Sequence, residues 1–360
     1  MRALTVKPGR QDSLDVRELP DPSPADGELL VRGLAMGVCG TDREITGGQY
    51  GRAPSGRDWL ILGHESLGRV ERAPSGSGFS TGDLVAGVVR RPDPVPCGAC
   101  ARQEFDMCRN GRYTERGIKE LDGFGAQAWC VEPDYVVRLE PHLASVGVLM
   151  EPTSVVAKAW EQVDRVGGRS WFEPRRVLVT GAGPIGLLAA LLGVQRGLEV
   201  HVLDRVNDGP KPSLVRDLGA AYHSDDAERV IDDVCPDVII EATGASTLVF
   251  ASLTGTASYG VVCLTGVSPA GRRISADAGA INRDMVLQND AVVGSVNANQ
   301  RHFRQAAAAL ARADRSWLER ADHQARPPRT RCRGAGVPAG RRQGGHRPGG
   351  VSARPGPNRR

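Results

Sequence analysis

The feature that most narrows what this chain can fold into is Gly181-Ala182-Gly183-Pro184-Ile185-Gly186, a run with G-x-G-x-x-G spacing. It stands between a short β-branched strand, Arg176–Thr180, and an apolar run from Ile185 to Val194 that reads as a buried helix. Glycines at 181, 183 and 186 permit a tight turn, a close approach of backbone to a pyrophosphate, and close helix–strand packing. The helix Leu187 to Val194 follows, and its N-terminus offers unpaired N–H groups to phosphate oxygens, with Pro184 and Ile185 also expected at the cofactor. A second strand, Val200–Leu203, ends at Asp204, which lies 18 residues after Gly186. That is near the spacing of an acid that accepts ribose hydroxyls. Such a carboxylate repels a 2′-phosphate, and the adjacent Arg205 partly offsets the repulsion. The expected cofactor is NAD, with NADP tolerated.

Further strands are expected at 237–241, 260–264 and 291–294, with helical stretches between them, which implies a doubly wound parallel sheet. The first 150 residues read differently. Short apolar runs at 29–31, 68–70 and 84–89 are cut by Gly and Pro, so a β-rich domain with long loops comes first. Residues 144–165 read as a helix, with Val148, Val155, Val156 and Trp160 on its apolar positions. The fold class is α/β.

Charge is unevenly spread. The formal net charge is +4, but the last forty residues hold ten Arg and a single acid, Asp322. Without them the chain has 36 basic and 41 acidic residues, a net of −5, so the body offers no nucleic-acid surface. Within 321–360, 24 residues are Arg, Gly or Pro and none is Leu, Ile, Phe or Tyr. Such a segment cannot bury enough apolar surface to offset its ordering entropy, and disorder is expected there. Two readings stay open: a basic tail that touches nucleic acid, or a reading-frame shift in GC-rich coding sequence.

The longest apolar run, Ile185 to Val194, is about half of the ~20 residues a bilayer needs. The N-terminus has no apolar h-region, so a cytoplasmic location is expected. Eight cysteines are too few for a disulfide scaffold of this length. Cys130, Cys235 and Cys263 fall singly in apolar segments and read as packing residues, whereas Cys97, Cys100 and Cys108 cluster.

Cys39 and His64 form a second constellation, in Gly37-Val38-Cys39-Gly40-Thr41-Asp42 and Gly63-His64-Glu65-Ser66-Leu67-Gly68. A thiolate, an imidazole and a carboxylate can hold one catalytic zinc and leave a coordination position open. Zinc there would polarise an alcohol oxygen.

These two motifs, with Gly82-Asp83-Leu84-Val85, resemble the zinc-dependent medium-chain dehydrogenase/reductase superfamily over about residues 1–310. Glu115-Arg116-Gly117-Ile118-Lys119, Glu151-Pro152 and Gly294-Ser295-Val296-Asn297 resemble its prokaryotic glucose dehydrogenase family in particular. The resemblance implies a GroES-like zinc-binding catalytic domain over 1–150 and a Rossmann domain over 151–300. It also implies a return to the catalytic domain over 301–320, followed by the atypical tail. It implies oxidation of the C1 hydroxyl of an aldose, D-glucose to gluconolactone, with hydride passing to NAD(P) and zinc as Lewis acid.

By the same resemblance, Cys39, His64 and Glu65 or Glu151 ligand the zinc, and Thr41 relays the alcohol proton. Glu115, Glu151 and Asn297 hydrogen-bond sugar hydroxyls, with Thr41 also beside the substrate and Asn297 also near the cofactor. Cys97, Cys100 and Cys108 would hold a structural zinc, with Pro94 standing where a fourth cysteine is usual and Asp93 as a feasible fourth ligand. Val155 stands where the family has an aspartate that contacts the sugar. A homodimer or homotetramer and a small sugar substrate are the expected partners, with no membrane. The alternatives are a polyol, secondary-alcohol or threonine dehydrogenase on the same scaffold, or a truncated, inactive product with a nucleic-acid-binding tail.

Overall fold

The β-branched runs pair as a parallel sheet because both of its faces are covered by helices. In the computed structural model, Arg176–Thr180 is the central strand of a six-stranded sheet, flanked by Glu199–Leu203 and Val238–Glu241. Ala221–His223 lies outside the first neighbour, and Val261–Leu264 and Ala291–Gly294 lie outside the second. Chain order reverses beside the central strand, which places a ligand crevice at the strand ends where Gly181 leaves. Ala221–His223 has no sequence signal of its own: it is three residues long, and the sheet next to it supplies its partner.

The structure describes residues 1–268 and 273–325, which form one compact unit. A second unit, residues 327–360, lies outside the described residues. The helices are α1 (Gly40–Thr46), α2 (Met150–Gly167), α3 (Pro184–Gln195), α4 (Pro210–Asp217), α5 (Ala227–Val234), α6 (Ser246–Ser252), α7 (Ala278–Gln288), α8 (Gln300–Arg312) and α9 (Arg315–Ala325).

The β-rich part is built on a five-stranded antiparallel sheet, in the order Ala128–Val131, Leu29–Gly37, Glu65–Arg72, Leu84–Gly87, Val136–Leu139. Alternate residues of these strands, among them Val31, Val70, Val85, Trp129 and Val136, close one buried cluster with Phe124. Phe124 meets Trp129 edge-on at 4.8 Å between ring centroids. Each such side chain adds about 1.5–3 kcal/mol by leaving water.

Helix α2 begins at Met150 rather than at 144, and residues 141–149 form 3-10 turns instead. Pro152 explains the difference, since its ring excludes a helical carbonyl at Val148 and it has no N–H to donate. The buried side of α2 packs on α3 and α8, and Trp160 donates Nε1–H to the Ala189 carbonyl at 3.3 Å. Helix α8 also packs on Val136–Leu139 of the antiparallel sheet, while α9 packs on α3 and α4, with Trp317 Nε1 donating to the Leu214 carbonyl at 2.8 Å.

Helix α9 runs through Ala325 with Ala321 and Asp322 buried, so the expected disorder does not begin at 321. The sparse apolar residues there suffice because they close against a neighbouring helix pair. The rest of that expectation, 326–360, falls outside the described residues. Of the three single cysteines, Cys263 is buried as expected, Cys130 is half-buried, and Cys235 is exposed. Cys235 ends α5 in a left-handed conformation with φ of 45°, which turns it out of the core. Among the described residues no helix is long and apolar enough to cross a membrane.

Candidate active site

Three side chains from two neighbouring segments meet at the edge of the antiparallel sheet. Cys39 caps the N-terminus of α1, and His64 and Glu65 open the strand Glu65–Arg72. The strand register sets Glu65 opposite Gly37, and a Cβ on Gly37 would lie 1.9 Å from Glu65 Oε2. Glycine at 37 therefore leaves the space that the carboxyl fills. Gly63, at φ of 100°, turns the chain just before His64 in a conformation that L side chains rarely adopt. His64 Nε2 lies 3.1 Å from Cys39 Sγ, and the donor atoms of Cys39, His64 and Glu65 all lie within 4.8 Å of one another.

The surroundings of this trio are organised for a cation. Asp42, 1 % exposed, accepts the Cys39 backbone N–H at 2.9 Å through Oδ2 and turns Oδ1 toward His64 Nδ1 at 3.5 Å. Neither Asp42 Oδ1 nor His64 Nδ1 has a hydrogen-bond partner otherwise. Asp42 thus stands on the Nδ1 side of His64, the place from which a carboxylate can orient an imidazole. Burial and the nearby Glu151 charge push the Glu65 carboxyl up to about 8. Burial also raises Glu151, with Asp42 and Glu115 adding to the rise and His64 opposing it. Burial works against charge on His64, but Asp42 and Cys39 outweigh it and hold its pKa well above the usual imidazole value. Soft, borderline and hard donors at this separation, with surplus negative charge, fit zinc.

The other residues expected to face a substrate lie around this cluster. Glu151 occupies the first turn of α2; it lies outside the trio but close enough for its charge to act on Glu65. Thr41 sits in α1, half-buried, two residues after Cys39. Glu115, 3 % exposed, accepts Arg90 Nε at 3.0 Å and Nη2 at 2.9 Å. With its amide turned to match its neighbours, Asn297 donates to Glu115 at 3.1 Å and accepts from Arg90. Glu65, Glu151, Glu115 and Asn297 are thus linked in turn, the first three by charge and the last by a hydrogen bond.

In the crevice of the parallel sheet, Gly181 has φ of 91°, and Gly183 caps α3 ahead of Pro184. A Cβ on Gly186 would lie 1.8 Å from the Gly181 carbonyl, so that glycine serves close helix–strand packing. A Cβ on Gly183 would meet nothing within 4 Å, which leaves its backbone open to a ligand. Ile185 is half-buried in the first turn of α3. Asp204 is already engaged: Oδ2 accepts Ala182 N–H at 2.7 Å and Lys211 Nζ at 2.8 Å, and Oδ1 accepts Val206 N–H at 3.2 Å. Burial pushes this carboxyl up, but Lys211 and the backbone donors outweigh it and hold it below the ordinary carboxylate range. Arg205 is exposed. An Asp204 neutralised by Lys211 no longer argues for NAD over NADP.

Cys97, Cys100 and Cys108 form a second trio of donors within 4.8 Å. Backbone N–H groups of Arg109 and Cys100 draw the Cys97 thiol down to about 6, while burial pushes Cys100 up to about 11. Asp93 is not within this group; its Oδ1 accepts Val95 N–H at 2.8 Å and its Oδ2 accepts Arg112 Nε at 3.2 Å.

Three residues of the site escaped the sequence: Asp42, Arg90 and Lys211. Asp42 carried a usable signal, because an acid three residues after a helix cap is a capping-box position. The other two are ordinary basic residues until the fold brings them to carboxylates.

Residues 144–324 match the family described as "Glucose dehydrogenase C-terminus", and residues 25–141 match "Alcohol dehydrogenase GroES-like domain". A glucose 1-dehydrogenase of Methanocella arvoryzae is 42% identical over 323 residues, 88% of this chain and 90% of the relative. One from Thermoproteus tenax is 42% identical over 319 residues, 88% of this chain and 89% of its own. In three dimensions the chain is similar to Haloferax mediterranei glucose dehydrogenase in complex with NADP, zinc and gluconolactone. That similarity has a TM-score of 0.80 at 36% identity, covering 89% of this chain and 91% of the other.

Proposed function

The chain belongs to the glucose dehydrogenase family of zinc-dependent medium-chain dehydrogenases, and from that premise we propose that it oxidises D-glucose at C1 to gluconolactone with NAD(P). The observation that carries the reading is the cluster of Cys39, His64 and Glu65, backed by Asp42, with the charges of Glu151 and Glu115 acting on it in turn.

Cys39, His64 and Glu65 hold the zinc, with Glu151 beside them. When bound there, zinc supplies Lewis-acid polarisation of the C1 oxygen. Thr41 takes the hydroxyl proton toward solvent. Glu115 and Asn297 accept and donate to the ring hydroxyls, whose donors would be left unpaired in an apolar pocket. Gly181, Gly183, Pro184, Ile185 and Gly186 seat the pyrophosphate at the N-terminus of α3. Lys211 and Arg205 offer positive charge to a 2′-phosphate, so NADP is accepted at least as well as NAD. Cys97, Cys100 and Cys108 hold a second, structural zinc through three thiolates.

The catalytic domain spans 1–150 and the dinucleotide domain 151–300; beyond them α8 reaches back to Val136–Leu139 of the former, while α9 packs on α3 and α4 of the latter. The chain works as a homo-oligomer in the cytoplasm. Ala291–Gly294 is an unpaired sheet edge, and the adjoining α7 has no buried residue while Val286 and Leu287 are exposed. The cysteines of the described residues are free, as suits a reducing compartment.

Reduction of NAD and NADP should be followed with D-glucose, D-galactose, D-xylose, a polyol, a secondary alcohol and L-threonine. Turnover with D-glucose above the non-sugars is expected. Turnover with an alcohol or L-threonine and none with any aldose would overturn the assignment.

A further inference from the structure

Lys158 and Asp106 form an ion pair whose side chains are both 2 % exposed. Lys158 lies mid-way along α2, and its Nζ reaches Asp106 Oδ2 at 2.9 Å and the Val296 carbonyl at 2.7 Å. Asp106 Oδ1 accepts Asn299 Nδ2 at 2.7 Å, and the Asp106 carbonyl accepts Arg90 Nη1 at 2.9 Å. Asn299 in turn caps α8, accepting the N–H groups of Arg301 and His302. One buried pair therefore grips the segment 295–299 at Val296 and at Asn299, on either side of Asn297.

Asn297 has φ of 65°, a left-handed conformation uncommon outside glycine that asparagine adopts more readily than other side chains. The same Arg90 that binds the Asp106 carbonyl also binds Glu115, and Asn297 bridges the two. The network thus runs from α2 to the turn bearing Asp106, and from there to both side chains assigned to the sugar. A buried ion pair adds little stability over a well-packed apolar pair. What an apolar pair could not supply is a donor for Val296 and an acceptor for Asn299.

We propose that the Lys158–Asp106 pair is a positioning device that sets the register of Asn297 and Glu115 for a hydroxyl-rich substrate. The proposal rests on the sugar reading above. Lys158 itself does not touch the substrate; it acts through the backbone of Val296.

The test uses the full chain carrying Lys158→Met, with Asp106→Asn as a milder variant and Lys158→Gln/Asp106→Asn as a neutral pair that keeps the hydrogen bonds. Two readouts are taken on folded protein: amide hydrogen exchange over 295–299, and KM and kcat for D-glucose with NADP saturating. Lys158→Met should speed exchange in that segment and raise the D-glucose KM about tenfold, with kcat and NADP affinity within about threefold of the parent. Asp106→Asn should do the same more weakly, and the neutral pair should recover most of the KM. A purely structural role would lower the melting temperature of both single variants while leaving the KM of the folded protein unchanged, and that result overturns the proposal. Unaltered exchange at 295–299 overturns it too. Glu115→Gln is run alongside: if it does not change the D-glucose KM, the sugar reading fails, and the positioning claim is judged on exchange alone.

Discussion

Asp204 and Glu65 are two partly buried carboxylates in one proposed site, and their surroundings drive them in opposite directions. Asp204 is held below the ordinary carboxylate range by Lys211 and two backbone N–H groups, so its charge is already matched. Glu65 is pushed up to about 8 by burial and by Glu151, with no resident cation among the described side chains beyond His64. The difference teaches what each place is for. A carboxylate with its counter-charge built in is a fixed part of a binding crevice. One left short of positive charge, beside a thiol and an imidazole, is a place where a cation is still to come.

The comparison breaks most sharply if the second cluster does not need a metal. Cys39→Ala or His64→Ala should lower kcat/KM for D-glucose by about 10³-fold or more and reduce zinc content, measured by steady-state kinetics and elemental analysis. Retained activity in either variant would mean Glu65 is not waiting for an ion.

A smaller effect is expected in the dinucleotide crevice. Lys211→Ala leaves Asp204 unmatched, so kcat/KM for NADP should fall about tenfold while that for NAD changes by less than about threefold. A variant that uses NADP better would show that Lys211 serves Asp204 only as packing.

The smallest effect is on stability against pH in zinc-stripped protein. Glu65 has a folded pKa above its ordinary value of 4.5, so the folded state binds more protons than the unfolded state between about 4.5 and about 8. Its contribution to stability therefore falls as pH rises through that window, and the raised His64 acts in the same direction. Asp204 has the opposite sign: its contribution is present above the ordinary carboxylate range and is lost as pH falls through its lower folded value. Melting temperature of zinc-stripped Glu65→Gln should fall less steeply between pH 5 and pH 8 than that of the parent (about a few degrees' difference). Parallel curves would remove Glu65 from the account.

Much of the parallel sheet was legible because strand, glycine turn and apolar helix are consecutive in sequence, so Arg176 to Val194 declares its own geometry. The zinc-side motifs were legible for a similar reason, since Cys39 and the His64–Glu65 pair each sit in a short local pattern. Ala221–His223 was not, because three residues gain their strand character from the neighbouring strand rather than from their own spacing. Pro152 was readable as a limit on α2, yet the apolar spacing from Val148 onward masked it. The basic residues that organise the site were least legible. Arg90, Lys158 and Lys211 find their carboxylates across 25, 52 and seven positions of chain, through contacts that only the folded chain makes.

The most direct test of the central claim is D-glucose-dependent reduction of NADP before and after treatment with a zinc chelator, with zinc then restored. The account predicts loss of turnover with the chelator, recovery on adding zinc to the parent, and no recovery in Cys39→Ala. Full turnover in protein shown to be free of zinc would contradict it.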